Sequence, residues 1–151
     1  MITKGLVRKI SGNAFPQAGN MMKLKYNCTL EALALSRARK CGLNNAEAPR
    51  QRERDGNEAF VRQENVLTDE GVIRWIGLHR VNLQIQAING WWSHIHQRRT
   101  GLGRAVTFKE KHIAHPISQS TQIAWAETRE VGCGIAKCGK AYNVICQYYP
   151  R

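Results

Sequence analysis

The chain has no apolar run approaching the eighteen or so residues that a membrane-spanning helix requires. Its first nine residues, Met1-Ile-Thr-Lys-Gly-Leu-Val-Arg-Lys9, lack the apolar stretch of a secretory leader. Acidic residues are scarce, 11 against 23 Lys and Arg, which leaves a formal net charge of +12. No uninterrupted basic run accompanies that excess. The densest cluster, Arg50-Gln51-Arg52-Glu53-Arg54, is diluted by Glu53 and Asp55, and Arg98-Arg99 is only a pair. This distribution argues against a nucleic-acid-binding arm and for a solvated basic surface, although a field of this sign still attracts anionic lipid or sulfated glycan. The five cysteines contain no Cys-x-x-Cys pair with a matching Cys or His pair, which excludes the usual structural zinc arrangements.

What is present suits a single domain over residues 1–151: 42% apolar and 23% charged residues are ordinary values for a chain with one core. The cysteines stand at 28, 41, 133, 138 and 146, the last three within fourteen positions of strand-like sequence. That pattern reads as a disulfide framework built in an oxidising compartment, with one cysteine left over.

Residues 10–22 read as an irregular entry segment. Asn27 then offers an N-cap and Glu31 a first-turn acid, and Leu30, Leu33, Ala34, Ala38 and Cys41 recur at helical spacing. Gly42 follows, where a left-handed C-cap is wanted. From Asn44 to Gln63 the chain is polar and reads as a long surface loop. Leu78, Val81, Ile85, Ile88, Trp92 and Ile95 mark the apolar stripe of a second helix. Residues 97–118 read as irregular and basic. The last stretch predicts a hairpin, Val131–Cys138 and Ala141–Tyr148 joined by Gly139-Lys140 in a type II′ turn. In that register Cys138 faces Ala141 and Cys133 faces Cys146, close enough to be bridged. Helices first and strands late give an α+β layered domain rather than alternating βαβ units.

Five strings in this order resemble the CAP superfamily of nematode venom-allergen type. They are the segment Gly12–Cys28, the helix pattern Leu30-Glu31…Ala34…Ala38…Cys41, and Glu64-Asn65, which ends the family's Gly-Glu-Asn signature with Gln63 in place of Gly. Thr121-Gln122-Ile-Ala-Trp125 with Thr128 and Val131-Gly-Cys133-Gly follows, then Val144-Ile-Cys146-Gln-Tyr148 with Pro150. The resemblance spans roughly residues 10–150 and implies a three-layer α-β-α sandwich with a central antiparallel sheet. It also implies a second disulfide, Cys41 to Cys138, leaving Cys28 unpaired. Relative to the family the chain looks shortened at both ends: Lys4-Gly5-Leu6-Val7-Arg8 keeps only the arginine of a His-Asn-x-x-Arg string, and the sequence stops where Gly-Asn is usual.

The family's cleft, where two His and two Glu can hold a divalent metal, is implied to be degenerate. Its four positions fall on Asn45, Glu64, His94 and Gln119, so the imidazole–carboxylate set that suits zinc is reduced to Glu64 and His94. Zinc is expected to be lost, unless His112 or His115 folds over the cleft beside His94 and Glu64. His94 and His96 do not share a helix face. Ser93, Ser118, Ser120 and Cys28 lack any surrounding motif that marks a nucleophile. The resemblance therefore implies a secreted, non-enzymatic interaction protein, basic and disulfide-bonded, that meets an extracellular receptor and modulates host or extracellular processes. The alternatives are a metal-dependent hydrolase or protease with a rebuilt cleft, and a sterol, lipid or anionic-glycan binder. A partial gene model accounts for the missing leader and the odd cysteine together. It predicts an upstream exon encoding a secretory leader, and a transcript that begins at Met1 without one would contradict it.

Overall fold

In the computed structural model the hairpin is the axis of the domain. The structure describes residues 8, 12, 14–42, 56–62, 76–97, 102, 107–113 and 115–150, with side chains of the long helix described from 82 to 96. Strands β3 (Glu130–Cys138) and β4 (Ala141–Tyr149) pair antiparallel through all nine residues, with Cys138 opposite Ala141 and Cys133 opposite Cys146. Gly139 supplies the left-handed first turn position (φ 61°), while Lys140 keeps a negative φ, as a type II′ turn requires. β2 (Gly56–Arg62) adds antiparallel to the other side of β4, and the two-residue β1 (Lys25–Tyr26) adds parallel to β3. The sheet order is β1-β3-β4-β2, so the sheet is mixed, its three long strands being antiparallel.

Alternation along β3 decides what covers each face. Gly132, Gly134 and Ala136 point to one face, Cys133 and Ile135 to the other. Helix α1 (Cys28–Ala38) lies on the glycine face so closely that a Cβ at Gly132 would collide with the backbone of Asn27, Leu30 and Glu31. A Cβ at Gly134 would strike Ala34 and Leu35. The fully buried Ala34 and Ala38 pack there against Ile145 and Ala136. On the opposite face, α2 (Ile76–Gln97) and the short α3 (Ile117–Ile123) complete a three-layer α-β-α sandwich. The larger core lies on that side: Leu83, Ala87 and Trp91 of α2 against Val61, Val144, Tyr148 and the Cys133–Cys146 pair.

Helix α1 begins as its sequence predicts. The Asn27 side-chain oxygen accepts the Thr29 and Leu30 amides at 2.8 and 3.2 Å, and its Nδ2 donates to Glu130 at 2.6 Å. At the other end both Cys41 (φ 51°) and Gly42 (φ 72°) turn left-handed. Cys41 is thereby aimed at Cys138, to which it is bonded with a Cα separation of 5.5 Å. Cys133 is bonded to Cys146 with a Cα separation of 4.1 Å. Cys28 is a free, exposed thiol. The first bridge closes 97 residues and the second only 13. In the chain-entropy account the first thus restrains the unfolded chain more, by about 4–5 kcal/mol against about 3.

Four expectations require correction. The polar stretch taken as loop to Gln63 contains β2, whose inward positions are Asn57, Ala59 and Val61. A polar residue leading that set hides its period of two. The core stripe of α2 is Leu83, Ala87, Trp91 and Ile95, all buried, whereas Ile85 and Ile88 are 48% and 38% exposed. Leu78 and Val81 belong to the stretch whose side chains lie outside the described residues. Leu33 of α1, expected inside, is likewise exposed. Finally, residues 97–118 are not wholly irregular: a 3-10 turn covers Glu110–His112, and α3 starts at Ile117.

The helix–glycine contact predicts an asymmetry between two glycines. Gly134→Val should lower stability by about 3 kcal/mol or more, through overpacking against a backbone that cannot yield. Gly139→Ala, in open space at positive φ, should cost only about 1–2 kcal/mol. Urea denaturation measures both, and equal losses would contradict the close approach.

Candidate functional site

Where β2 runs beside α2, the two elements leave a cleft of about 410 Å³. Its lining includes Phe60 and Val61 from the strand, Gln86, Gly90, Trp91 and His94 from the helix, and Gln119 from α3. The elements are joined by hydrogen bonds of neutral groups. The Glu58 main-chain carbonyl accepts both the Trp91 indole N–H at 3.1 Å and the Gln119 amide N–H at 3.2 Å. Asn57 Nδ2 donates to the Gln119 carbonyl at 3.0 Å and to the Tyr148 hydroxyl at 3.3 Å. Ser120 Oγ, fully buried, donates to the Trp91 carbonyl at 2.6 Å. Burial pushes the Tyr148 phenol pKa up, the Asn57 hydrogen bond opposing this only in part, so the hydroxyl stays neutral.

Of the four cavity positions, the structure brings His94 and Gln119 to this cleft. Asn45 and Glu64 lie outside the described residues. β2 opens with Gly56-Asn57-Glu58, the three residue types of the family's Gly-Glu-Asn signature in another order, and this tripeptide adjoins Gln119. The Glu58 carboxylate is turned to the other face, where Asn143 donates to it at 2.8 Å. Asn57 and Glu58 escaped the sequence reading because their order differs from the signature. Their place on a strand was the missing signal.

The histidines divide by role. His94 has a buried Nδ1 without a hydrogen-bond partner. His96, two residues on, is exposed. His112 is buried, accepts the Lys109 amide on Nδ1 at 2.8 Å, and packs 5.5 Å from the Phe108 ring. His115 accepts the Ile117 amide on Nδ1 at 3.1 Å, capping α3. Neither loop histidine lines the cleft. One imidazole and one neutral amide whose nitrogen is already committed do not make a zinc-binding set. Among the described residues no group of three His, Cys, Asp or Glu is placed to hold a metal.

The serines are likewise engaged. Ser93 Oγ donates to the Gly90 carbonyl at 2.8 Å and Ser120 Oγ to the Trp91 carbonyl, so neither hydroxyl proton is turned to a base, while the Ser118 main-chain carbonyl accepts from Thr121. The Thr-Gln…Thr block is a packing device. Gln122 donates to the buried Thr128 at 3.4 Å, and Trp125 meets Phe108 edge-on at 6.3 Å.

Known proteins are similar to this chain in sequence and fold. The sequence profile described as the cysteine-rich secretory protein family, CAP, matches residues 7–149. Ancylostoma secreted protein of Ancylostoma caninum is 25% identical over 150 residues, which are 99% of this chain and 32% of that protein. Hookworm platelet inhibitor 1 of the same organism is 27% identical over 89% of this chain and 54% of its own length. This chain therefore spans between about a third and a little over half of these relatives. Among solved structures, NaASP2 with Zn2+ superposes with a TM-score of 0.71 at 21% identity, over 99% of this chain and 71% of that one. BmVAL-1 gives 0.67 at 23% identity over 99% and 69%. These likenesses establish the fold, and the profile match over nearly the whole length establishes the kinship: the chain belongs to the CAP family of cysteine-rich secretory proteins.

Proposed function

We propose that this CAP domain is a secreted, non-catalytic binding protein that acts by engaging an extracellular partner and thereby modulates host or extracellular processes. The observation that carries the reading is the neutral hydrogen-bond net between β2, α2 and α3. Asn57, Trp91, Gln119 and Ser120 spend their side-chain donors on the backbone carbonyls of Glu58, Trp91 and Gln119 or on the Tyr148 hydroxyl. Hydrolysis needs a nucleophile beside a base, or a metal-bound water. The described residues offer neither pair. A domain organised this way uses its fold as a rigid support for surface contacts. The secreted character of the named relatives and the two disulfides favour the extracellular setting. One relative is named a platelet inhibitor, which supports action through another protein or cell surface.

A second reading, a metal-dependent hydrolase with a rebuilt cleft, has one observation in its favour: the buried and unpartnered Nδ1 of His94, which lines the cleft. The two readings differ in zinc affinity. Calorimetric titration of refolded, disulfide-intact protein with zinc should show no stoichiometric one-site heat, and His94→Ala should leave the trace unchanged. Tight one-site binding that disappears in His94→Ala would overturn the non-catalytic reading. A structural role of the net is tested separately. Ser120→Ala removes the hydroxyl that donates to the Trp91 carbonyl, which keeps its helical bond, and should cost about 1 kcal/mol in urea denaturation.

A further inference from the structure

The topology gathers charge at one end of the sandwich. β3 and α1 run in the same direction, β2 runs antiparallel to β4, and the β3–β4 turn lies where α1 and β2 both finish. Six of the twelve described Lys and Arg side chains are therefore brought together: Arg37 from the last turn of α1 with Arg39 and Lys40 just after it, Arg62 from the end of β2, and Lys137 and Lys140 from the hairpin tip. Arg39, Lys40, Lys137 and Lys140 are exposed. An open recess of about 320 Å³ lies among them, lined by Arg62, Cys138, Lys140 and Ala141.

The described carboxylates are elsewhere. Glu31, Glu127 and Glu130 stand at the opposite end, and Glu110 precedes α3. Glu58 is half-buried behind Asn143, to which it is hydrogen-bonded. The Cys41–Cys138 bridge joins the two residues adjacent to Lys40 and Lys137, so the charges on helix and strand are held in a fixed relation. Core packing has no need of this arrangement. Like charges held together repel and destabilise the compact state, a penalty that a bound polyanion relieves. The negative end of the eleven-residue α1 dipole offsets only about half a charge against the four exposed cations, Arg39, Lys40, Lys137 and Lys140.

We infer that this basic end is a binding surface for a linear sulfated polysaccharide, with a sulfate group seated in the recess beside the exposed Lys140. The inference rests on the extracellular reading above and deepens it by naming the chemical class of a partner. That setting selects among polyanions. Anionic lipid, and the negative surface potential it creates, belongs chiefly to the cytoplasmic leaflet. Nucleic acid lies mostly inside the cell, in compartments where disulfides are rare. Binding places charge against charge without burying apolar surface, so salt weakens it steeply.

The test uses the refolded full chain and a heparin oligosaccharide as probe. The variant Lys137→Glu/Lys140→Glu reverses the hairpin tip. Lys23→Glu/Lys25→Glu makes the same charge change near Glu130, about 26 Å away at the strand rise of 3.3 Å per residue. At physiological ionic strength the tip variant should bind about tenfold more weakly or worse, given about a decade of affinity for each pair of surface charges. The control should stay within about twofold, and heparin should raise the thermal midpoint of the wild type but not of the tip variant. Should the tip variant fail to fold by near-ultraviolet circular dichroism, Arg39→Glu/Lys40→Glu takes its place with the same expectation. Equal losses in tip and control variants would reduce the effect to net charge and overturn the site. Absence of heparin binding, or equally strong tip-dependent binding to phosphatidylserine vesicles or duplex DNA, would overturn the polysaccharide assignment. None of these outcomes bears on the zinc titration or on turnover, so this inference and the non-catalytic reading fail separately.

Discussion

The contact of α1 with two glycines of β3 is the constraint on which the rest of the domain depends. Gly132 and Gly134 leave no side chain between helix backbone and strand, so α1 is positioned by main chain against main chain. Since side chains alternate along a strand, the same spacing that puts glycine against the helix puts Cys133 on the other face, opposite Cys146. One short string, Val131-Gly-Cys-Gly, therefore seats a helix on one side and staples the core on the other. β4 lies in the middle of the sheet with both faces covered, and it is buried from Asn143 through Tyr148.

That string also explains why the fold was largely legible. The register of β3 and β4 follows from a two-residue turn with glycine in its first place and from two cysteines that must face each other. The start of α1 follows from an asparagine whose side chain caps it, and its end from Cys41-Gly42. The signals that misled were those where polarity and burial part company. Asn57 is 2% exposed and leads the inward row of β2, which disguised a strand as loop. α2 carries two apolar rows, and isoleucines at 85 and 88 look more like core than alanine at 87. The buried row is the one whose Trp91 finds a hydrogen-bond acceptor on the neighbouring strand.

The candidate site was legible in half. His94 and Gln119 were located from the strings around them, and both line the cleft. Asn57 and Glu58 were not, because the cleft's chemistry depends less on which residues occupy it than on where their polar groups are spent. Glu58 contributes its carbonyl to the cleft floor while its carboxylate turns to the opposite face. The sequence alone does not distinguish a glutamate that offers its side chain from one that offers its backbone. The same distinction separates His94, whose unpartnered Nδ1 belongs to a residue lining the cleft, from His112 and His115, which lie away from it and whose Nδ1 atoms fix the local backbone.

Helix α1 spans eleven residues, about 16 Å at 1.5 Å per residue, and is fastened at both ends. At its start Asn27 holds Glu130, and at its finish Cys41 holds Cys138. With glycine beneath it, sliding along the strand would carry the helix backbone onto the Cβ of Glu130 or Ala136, which flank the two glycines on that face. The helix thus works as a ruler laid along β3, and the interval between the start of β3 and the basic hairpin end is set by a count of residues. A partner that touches both ends meets a gauge of fixed length, one that selects by span as well as by charge.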